Sequence, residues 1–176
     1  MHLPSLLTCA VALLPFANSL AIQHPKSSDV TASTYNALIQ AGYKTAYTLD
    51  TKNYDALGEV MTTDVVYDST ALGKYGGRSV GLDEVKTSVA AAFGDDLVEH
   101  IVTNIYIMEL QTPTKAKVVT FCAITYLYWA PDALSDITKT YRIWYKCDDI
   151  WVLQNGDWKM QYSYVTNMGP GVEAPY

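Results

Sequence analysis

The sequence predicts an α+β fold in which three helices near the N-terminus pack on one face of a curved antiparallel sheet. Apolar residues recur at helical spacing in three segments of the first half, and four long segments rich in branched and aromatic residues fill the second half. Short stretches of turn chemistry separate these four segments, as expected of strands joined by hairpins. The 176 residues, of which 49% are hydrophobic, suit one domain with a sizeable core.

The predicted helices come first along the chain. Helix one starts after Thr31 or Ser33, either of which can cap it, and runs to about Leu49. A short second helix is predicted at 54–61 and a third at 82–93, because each segment gathers its apolar residues on one face.

The predicted strands follow. A short strand at 64–68 precedes a glycine-rich segment, 73–78, which lacks the strand–loop–helix frame of a phosphate-binding loop and is interpreted as a mobile loop. Four long strands are predicted at roughly 97–111, 115–130, 137–154 and 157–168.

Period-two alternation assigns the faces of the predicted hairpin centred near residue 134. One face is aromatic and nearly free of charge, and we expect it to be the inner one. Its members are Cys122, Ile124, Tyr126, Tyr128, Tyr141, Ile143, Tyr145, Cys147, Asp149 and Trp151. The outer face would carry Phe121, Thr125, Trp129, Arg142, Trp144, Lys146 and Asp148. A slip of one residue would exchange Asp149 for Asp148.

The N-terminus indicates a targeting segment. Residues 1–21 combine an apolar centre with small residues before a cleavage site, which predicts a signal peptide and a secretory-pathway or secreted protein. The alternative is a membrane anchor, although the apolar run is shorter than the ~20 residues that a spanning helix needs. Residues 22–32 are expected to be a flexible lead-in to a single domain, 33–176. Signal removal leaves Cys122 and Cys147, which are predicted to form a disulfide.

Composition excludes several classes of function. The formal net charge of −6 argues against binding to nucleic acid or to anionic membranes. The 14 tyrosines are typical of a pocket for a partly polar ligand. His100, in VEHIVTN at 98–104, is the only histidine of the predicted domain, and one histidine with scattered carboxylates makes no zinc or iron set. We therefore expect no metal and no cofactor.

Four segments in this order resemble the SnoaL-like polyketide cyclases, which have the cone fold of the nuclear-transport-factor-two-like proteins. They are LDTKNYDALGEVMTTDVVYD (49–68), SVGLDEV (79–85), EHIVTN (99–104) and DIWVLQNGDWKM (149–160). The resemblance implies a cone-shaped pocket and a fungal-type enzyme of secondary metabolism. Relatives include ring-closing cyclases, dehydratases of the scytalone and bile-acid types, and small epoxide hydrolases.

The resemblance also implies residue roles. The Asp that ends the first helix falls on Asp50, the strand histidine on His100, the strand tyrosine on Tyr67, and a polar residue before the last turn on Asp148 or Asp149. We predict His100, Asp50 and Asp149 as the catalytic set, with His100 exchanging protons and Asp50 orienting it. The predicted substrate-binding residues are Tyr47, Tyr67, Asn104, Tyr126, Tyr145 and Trp151.

Each assignment has a structural alternative. His100 could be a satisfied core histidine, Asp50 could cap the second helix, and Asp149 could be a solvated charge at a strand end. The leading function is epoxide hydrolysis or ring closure on a lipophilic polyketide, with dehydration or isomerisation close behind. The alternatives are a non-catalytic carrier of a hydrophobic small molecule, or an interaction protein that dimerises through Trp129 and Trp144.

Overall fold

The helices and strands follow the predicted order. A computed structural model describes residues 30–128, 130, 132, 134–136 and 139–169, and the predicted signal peptide, most of the lead-in and Trp129 lie outside these residues. The helices are α1 (Ala32–Asp50), α2 (Leu57–Val60) and α3 (Leu82–Phe93), with 3₁₀ turns at Tyr54–Ala56 and Thr70–Tyr75. The strands are β1 (Met61–Asp68), β2 (Arg78–Val80), β3 (Leu97–Thr112), β4 (Lys115–Tyr128), β5 (Thr140–Gln154) and β6 (Asp157–Asn167). The α+β prediction is confirmed.

Two local predictions need correction. The predicted helix at 54–61 is a 3₁₀ turn followed by one turn of α-helix, and Met61 already begins β1. The run Met61-Thr62-Thr63 favours extended backbone, because two β-branched residues lose side-chain freedom in a helix. The glycine-rich segment ends in the short strand β2, whose Arg78 pairs with Asp68 of β1.

The sheet is mixed rather than antiparallel throughout. Its six strands are ordered β2-β1-β6-β5-β4-β3, and β1 runs parallel to β6 while the other neighbours are antiparallel. The sequence pattern identifies β1 as a strand but does not specify which strand it joins, so this pairing was not predicted. The sheet is open, and the helices cover one of its faces.

The core lies between the helices and the sheet. Leu38 and Leu49 of α1 and Val85 of α3 pack with Val118 and Trp151 of the sheet, and all five are at most 8% exposed. Thr31 caps α1 by accepting a hydrogen bond from the backbone N–H of Thr34 at 3.1 Å. Among the described residues, no helix has the length and apolarity needed to cross a bilayer.

The β4–β5 register contradicts the predicted disulfide. Cys122 is paired with Tyr145, whereas Cys147 is paired with Thr120, and no disulfide joins the two cysteines. The offset arises partly because an irregularity between Cys122 and Thr125 adds a residue to β4. Such a bulge shifts every later pair and cannot be seen in a simple alternation pattern.

Candidate functional site

The centre of the candidate site is an imidazole held by a carboxylate. Nδ1 of His100 and Oδ1 of Asp50 are in hydrogen-bonding contact. The backbone N–H of His100 also lies 3.2 Å from Oδ1 and 3.1 Å from Oδ2 of the same carboxylate. An ionised Asp50 can only accept hydrogen bonds, so Nδ1 carries the proton and Nε2 keeps its lone pair. His100 and Asp50 therefore form the geometry of a general base with its orienting acid.

Helix α1 and strand β3 bring this pair together. Asp50 is the last residue of α1, where the negative end of the helix dipole disfavours a carboxylate. The hydrogen bonds from His100 offset that cost. The alternative role of Asp50 as a helix cap is wrong, because Asn53 occupies the N-cap position of the next turn and Asp50 bonds to His100 instead.

His100 lies in the wall of a cavity of about 560 Å³ between the sheet and α3. Its side chain is only 6% exposed. The ring of Phe93 contacts it edge-on with centroids 5.9 Å apart, and that of Tyr145 with centroids 6.4 Å apart. Val89 and Ile143 add apolar wall. This cavity size is within the usual range for small-molecule sites.

A smaller chamber of about 60 Å³ lies deeper in the fold. It shares the walls Tyr67, Val85, Val89, His100 and Tyr145 with the larger cavity, so the two chambers are adjacent. Polar groups from the sheet, including the side chains of Ser163 and Cys147, line its base. Both chambers are thus mainly apolar, with a few hydroxyl and phenol groups in their walls.

Two phenols lie in the wall shared by both chambers. Burial raises the pKa of Tyr67 and of Tyr145, so both phenols keep their protons and can donate hydrogen bonds. Thr125 Oγ1 donates to the Tyr145 hydroxyl oxygen at 3.3 Å. Because the Tyr145 oxygen accepts this hydrogen bond, its own O–H does not donate to Thr125. That O–H is therefore suited to donate to an oxygen of a bound substrate.

Asp149 lies beneath the inner chamber. It is 2% exposed, so it is not a solvated strand-end charge, and it faces the core while Asp148 pairs with Lys146 at 2.8 Å. Burial raises the pKa of Asp149 to about 7, against smaller opposing effects of the Ser163 hydroxyl and the Trp151 indole. Neither group makes a hydrogen bond of standard geometry to the carboxyl, whose Oδ1 is unpartnered. Asp149 lines neither chamber, so its influence on a substrate passes through the groups above it.

The predicted substrate-binding residues divide into two groups. Tyr67, Tyr145 and Trp151 lie in the pocket wall. Tyr47 does not, because it lies on the outer side of α1 and is 68% exposed. Asn104 is also exposed, since an extra residue in β3 between Val102 and Asn104 reverses the alternation and turns Ile105 inward. The prediction for Tyr126 concerns a side chain outside the described part.

Three residues of the pocket were not predicted from the sequence. Thr125, predicted to face outward, is 2% exposed and lies beside His100, because the β4 bulge turns it inward. Phe93 was predicted only as one of the apolar residues on one face of the third helix. Arg78 was assigned to a mobile loop, although its place beside a strand near Tyr67 could have indicated a pocket position. No cluster of three possible metal ligands occurs among the described residues.

Comparisons with known proteins agree with this architecture. A family model described as a SnoaL-like domain matches residues 30–164. No curated protein sequence matches the chain. Similar solved structures include a candidate scytalone dehydratase from Novosphingobium aromaticivorans, with 17% identity and a TM-score of 0.66 over 84% of this chain and 93% of that one.

Two further structures have the same fold. A candidate dehydratase of the NTF2-like family from Streptomyces avermitilis has 13% identity and a TM-score of 0.62 over 78% of this chain and 99% of that one. A protein of unknown function with a cystatin-like fold from Nostoc punctiforme has 14% identity and a TM-score of 0.61, covering 81% and 96% of the two chains. At these identities the likeness concerns the fold.

Proposed function

This chain belongs to the SnoaL-like domain family, and from that membership we propose that it is an acid–base enzyme of secondary metabolism that acts on a lipophilic, polyketide-type substrate. The observation that carries the proposal is the His100–Asp50 pair in the wall of a largely apolar cavity. The proposed chemistry needs only side chains of the protein and no cofactor.

The proposed first step is removal of a proton from a carbon next to a carbonyl group. Nε2 of His100 takes the proton, and the electrons of the C–H bond form the enolate. Asp50 stabilises the imidazolium through its contact with Nδ1. The phenol of Tyr145 or Tyr67 donates a hydrogen bond to the enolate oxygen, where negative charge develops.

The enolate then has two outcomes that use the same residues. In ring closure its carbon attacks a second carbonyl of the substrate, and the imidazolium gives its proton to the new alkoxide. In dehydration the enolate expels a neighbouring hydroxyl group, which leaves as water after taking that proton. Both sequences return His100 to its starting state, so the enzyme turns over without an outside reagent.

Epoxide opening is the other reaction that this site could catalyse. His100 would take a proton from a water molecule, and the resulting hydroxide would attack an epoxide carbon as its C–O bond breaks. A phenol would protonate the opening oxygen, and the phenolate would regain a proton from the imidazolium. This route needs room for a water beside the substrate. The inner chamber of about 60 Å³ has room for that water, and a substrate panel distinguishes the route from enolate chemistry.

Deuterium incorporation tests the first step directly. The protein is incubated in D₂O with a panel of cyclic and linear β-hydroxyketones, and exchange at the carbon next to the carbonyl is followed by NMR. We expect His100→Asn to slow exchange by roughly 10²–10⁴-fold, the usual range for an acid–base group. Asp50→Asn should also slow it, because the tautomer of His100 is no longer fixed.

Arg142→Gln is the matched control. Arg142 is exposed and stacks on Trp144 outside the pocket, so its loss should leave exchange unchanged. A protein that binds members of the panel but exchanges no proton would contradict the enzyme proposal and favour a carrier. Conversion of epoxides alone, with loss on His100→Asn, would select epoxide opening.

Two expectations from the sequence remain proposals. We propose that residues 1–21 direct the chain into the secretory pathway, which N-terminal sequencing of the mature protein tests. We also propose a homodimer that forms through the sheet face opposite the helices. Its mass in solution, measured by light scattering, tests that proposal.

A further inference from the structure

We propose that Arg78 recognises an anionic oxygen group, such as a carboxylate, at the solvent end of the substrate. This inference rests on the proposed function and extends it to a class of substrate: a lipophilic molecule with one acidic group. Arg78 then sets specificity, while His100 carries the proton transfer.

Arg78 is placed to meet a ligand at the cavity mouth. It lines the same 560 Å³ cavity as His100, yet its side chain is 54% exposed whereas that of His100 is 6% exposed. The two residues therefore lie at the open and the buried ends of one pocket. A substrate whose carbonyl reaches His100 would present its other end to Arg78.

The electrostatics of the cavity favour one negative group on the ligand. Among the described lining residues, Arg78 is the only one besides His100 that can carry a positive charge, and no carboxylate lines the wall. The remaining wall consists of apolar, hydroxyl and phenol side chains with some glycine backbone. A single acidic group would thus find one cationic partner in the wall, while the Asp68 carboxylate, 3.9 Å from that guanidinium, lies outside the lining.

The guanidinium retains donors for a ligand. Its Nε lies 3.9 Å from Oδ2 of Asp68, which is beyond hydrogen-bond distance. Asp68 is engaged mainly by Thr70, whose backbone N–H and hydroxyl donate to Oδ1 at 3.0 and 2.6 Å. These bonds, more than the Arg78 charge, lower the pKa of Asp68. Asp68 orients Arg78 by charge but takes no hydrogen bond from it, so the N–H donors of the guanidinium remain for a ligand. A planar guanidinium can bind a carboxylate with two parallel hydrogen bonds.

The glycine-rich segment forms an ordered rim beside Arg78. The backbone N–H of Ser69 donates to the Gly77 carbonyl at 2.8 Å, and the N–H of Gly77 donates to Ser69 Oγ at 3.0 Å. Gly76 is required in this rim, because a Cβ there would lie 1.7 Å from the Ser69 carbonyl oxygen. Arg78 follows directly, so its backbone is fixed before a ligand arrives. This lowers the entropic cost of binding.

Matched probes test the inference without turnover. Dissociation constants for 2-naphthoate and for its neutral analogue 2-naphthamide are measured by calorimetry on the full chain and on two variants, Arg78→Gln and Lys74→Gln. We expect the wild-type protein to prefer the acid by roughly five- to tenfold, as one charge-assisted contact at a half-exposed site provides. Arg78→Gln should abolish the preference. Lys74→Gln should keep it, because Lys74 has the same charge but does not line the cavity.

Three results overturn the inference. The first is equal affinity for acid and amide in the wild-type protein, the second is a preference that survives Arg78→Gln, and the third is failure of both probes to bind. The preference for the acid is a binding measurement that does not involve proton exchange at His100. Failure of the Arg78 test thus leaves proton exchange at His100 untouched, and the two proposals fail separately.

Discussion

Replacing the buried carboxyl of Asp149 by an amide should make the protein more stable at alkaline pH. Burial raises the pKa of Asp149 from 3.8 to about 7. The folded protein therefore binds a proton that the unfolded chain has released, over the window from about pH 4 to pH 7. Stability falls as pH rises through that window, and above it the full cost of a buried charge is present. Asp149→Asn removes this cost and keeps the shape of the side chain.

The size of the effect follows from the two pKa values. One pKa unit corresponds to about 1.4 kcal/mol. Between pH 5 and pH 8 the wild type should lose about 2–3 kcal/mol of unfolding free energy that Asp149→Asn retains. Because this is a difference between two pH values, any constant cost of the amide cancels.

Urea unfolding at pH 5 and pH 8, for wild type and variant, measures this difference. Asp148→Asn is the control, since Asp148 forms a half-exposed pair with Lys146 and should change stability by about 1 kcal/mol or less. The reasoning is refuted if Asp149→Asn gains no stability relative to wild type between pH 5 and pH 8. That result would mean that the carboxyl is ionised in the folded protein throughout.

Three further predictions concern the pocket and the cysteines. Tyr145→Phe should lower the rate of proton exchange by about 10–100-fold, since it removes one donor to the enolate oxygen. Its free energy of unfolding should stay within about 1 kcal/mol of the wild-type value. An unchanged exchange rate would assign the donor role to Tyr67. Tyr47→Ala and Asn104→Ala should leave the exchange rate unchanged, because both side chains are exposed outside the pocket; a loss above threefold in either would show that the pocket extends farther. Cys122 and Cys147 should both react with a thiol reagent in denaturant without reductant, and slowly or not at all in the native protein; a mass two daltons lower, with no reaction, would restore the disulfide.

Part of the fold could be predicted because its signals are local. Helical spacing identified α1 and α3, and alternation along β5 placed Tyr145, Asp149 and Trp151 on the inner face. The proximity of Asp50 and His100 followed from the family resemblance. These features depend on residue types at fixed spacing, so they can be predicted from the sequence alone.

The rest depended on events that spacing does not encode. An extra residue in β3 turned Asn104 outward, and one in β4 turned Thr125 inward and increased the offset between Cys122 and Cys147. A bulge reverses the face of the sheet to which each later side chain points, although the residues of the bulge look like ordinary strand residues. The parallel pairing of β1 with β6 is likewise set by tertiary packing.

The tautomer of neutral His100 tests the central claim most directly. Long-range ¹H–¹⁵N NMR of the folded protein, with His100→Asn to assign the signals, identifies which ring nitrogen carries the proton. We predict the proton on Nδ1, facing Asp50, with an unprotonated Nε2 directed to the pocket, and a loss of this preference in Asp50→Asn. A proton on Nε2 in the wild-type protein would contradict the claim, because His100 would then have no lone pair to accept a proton from a substrate.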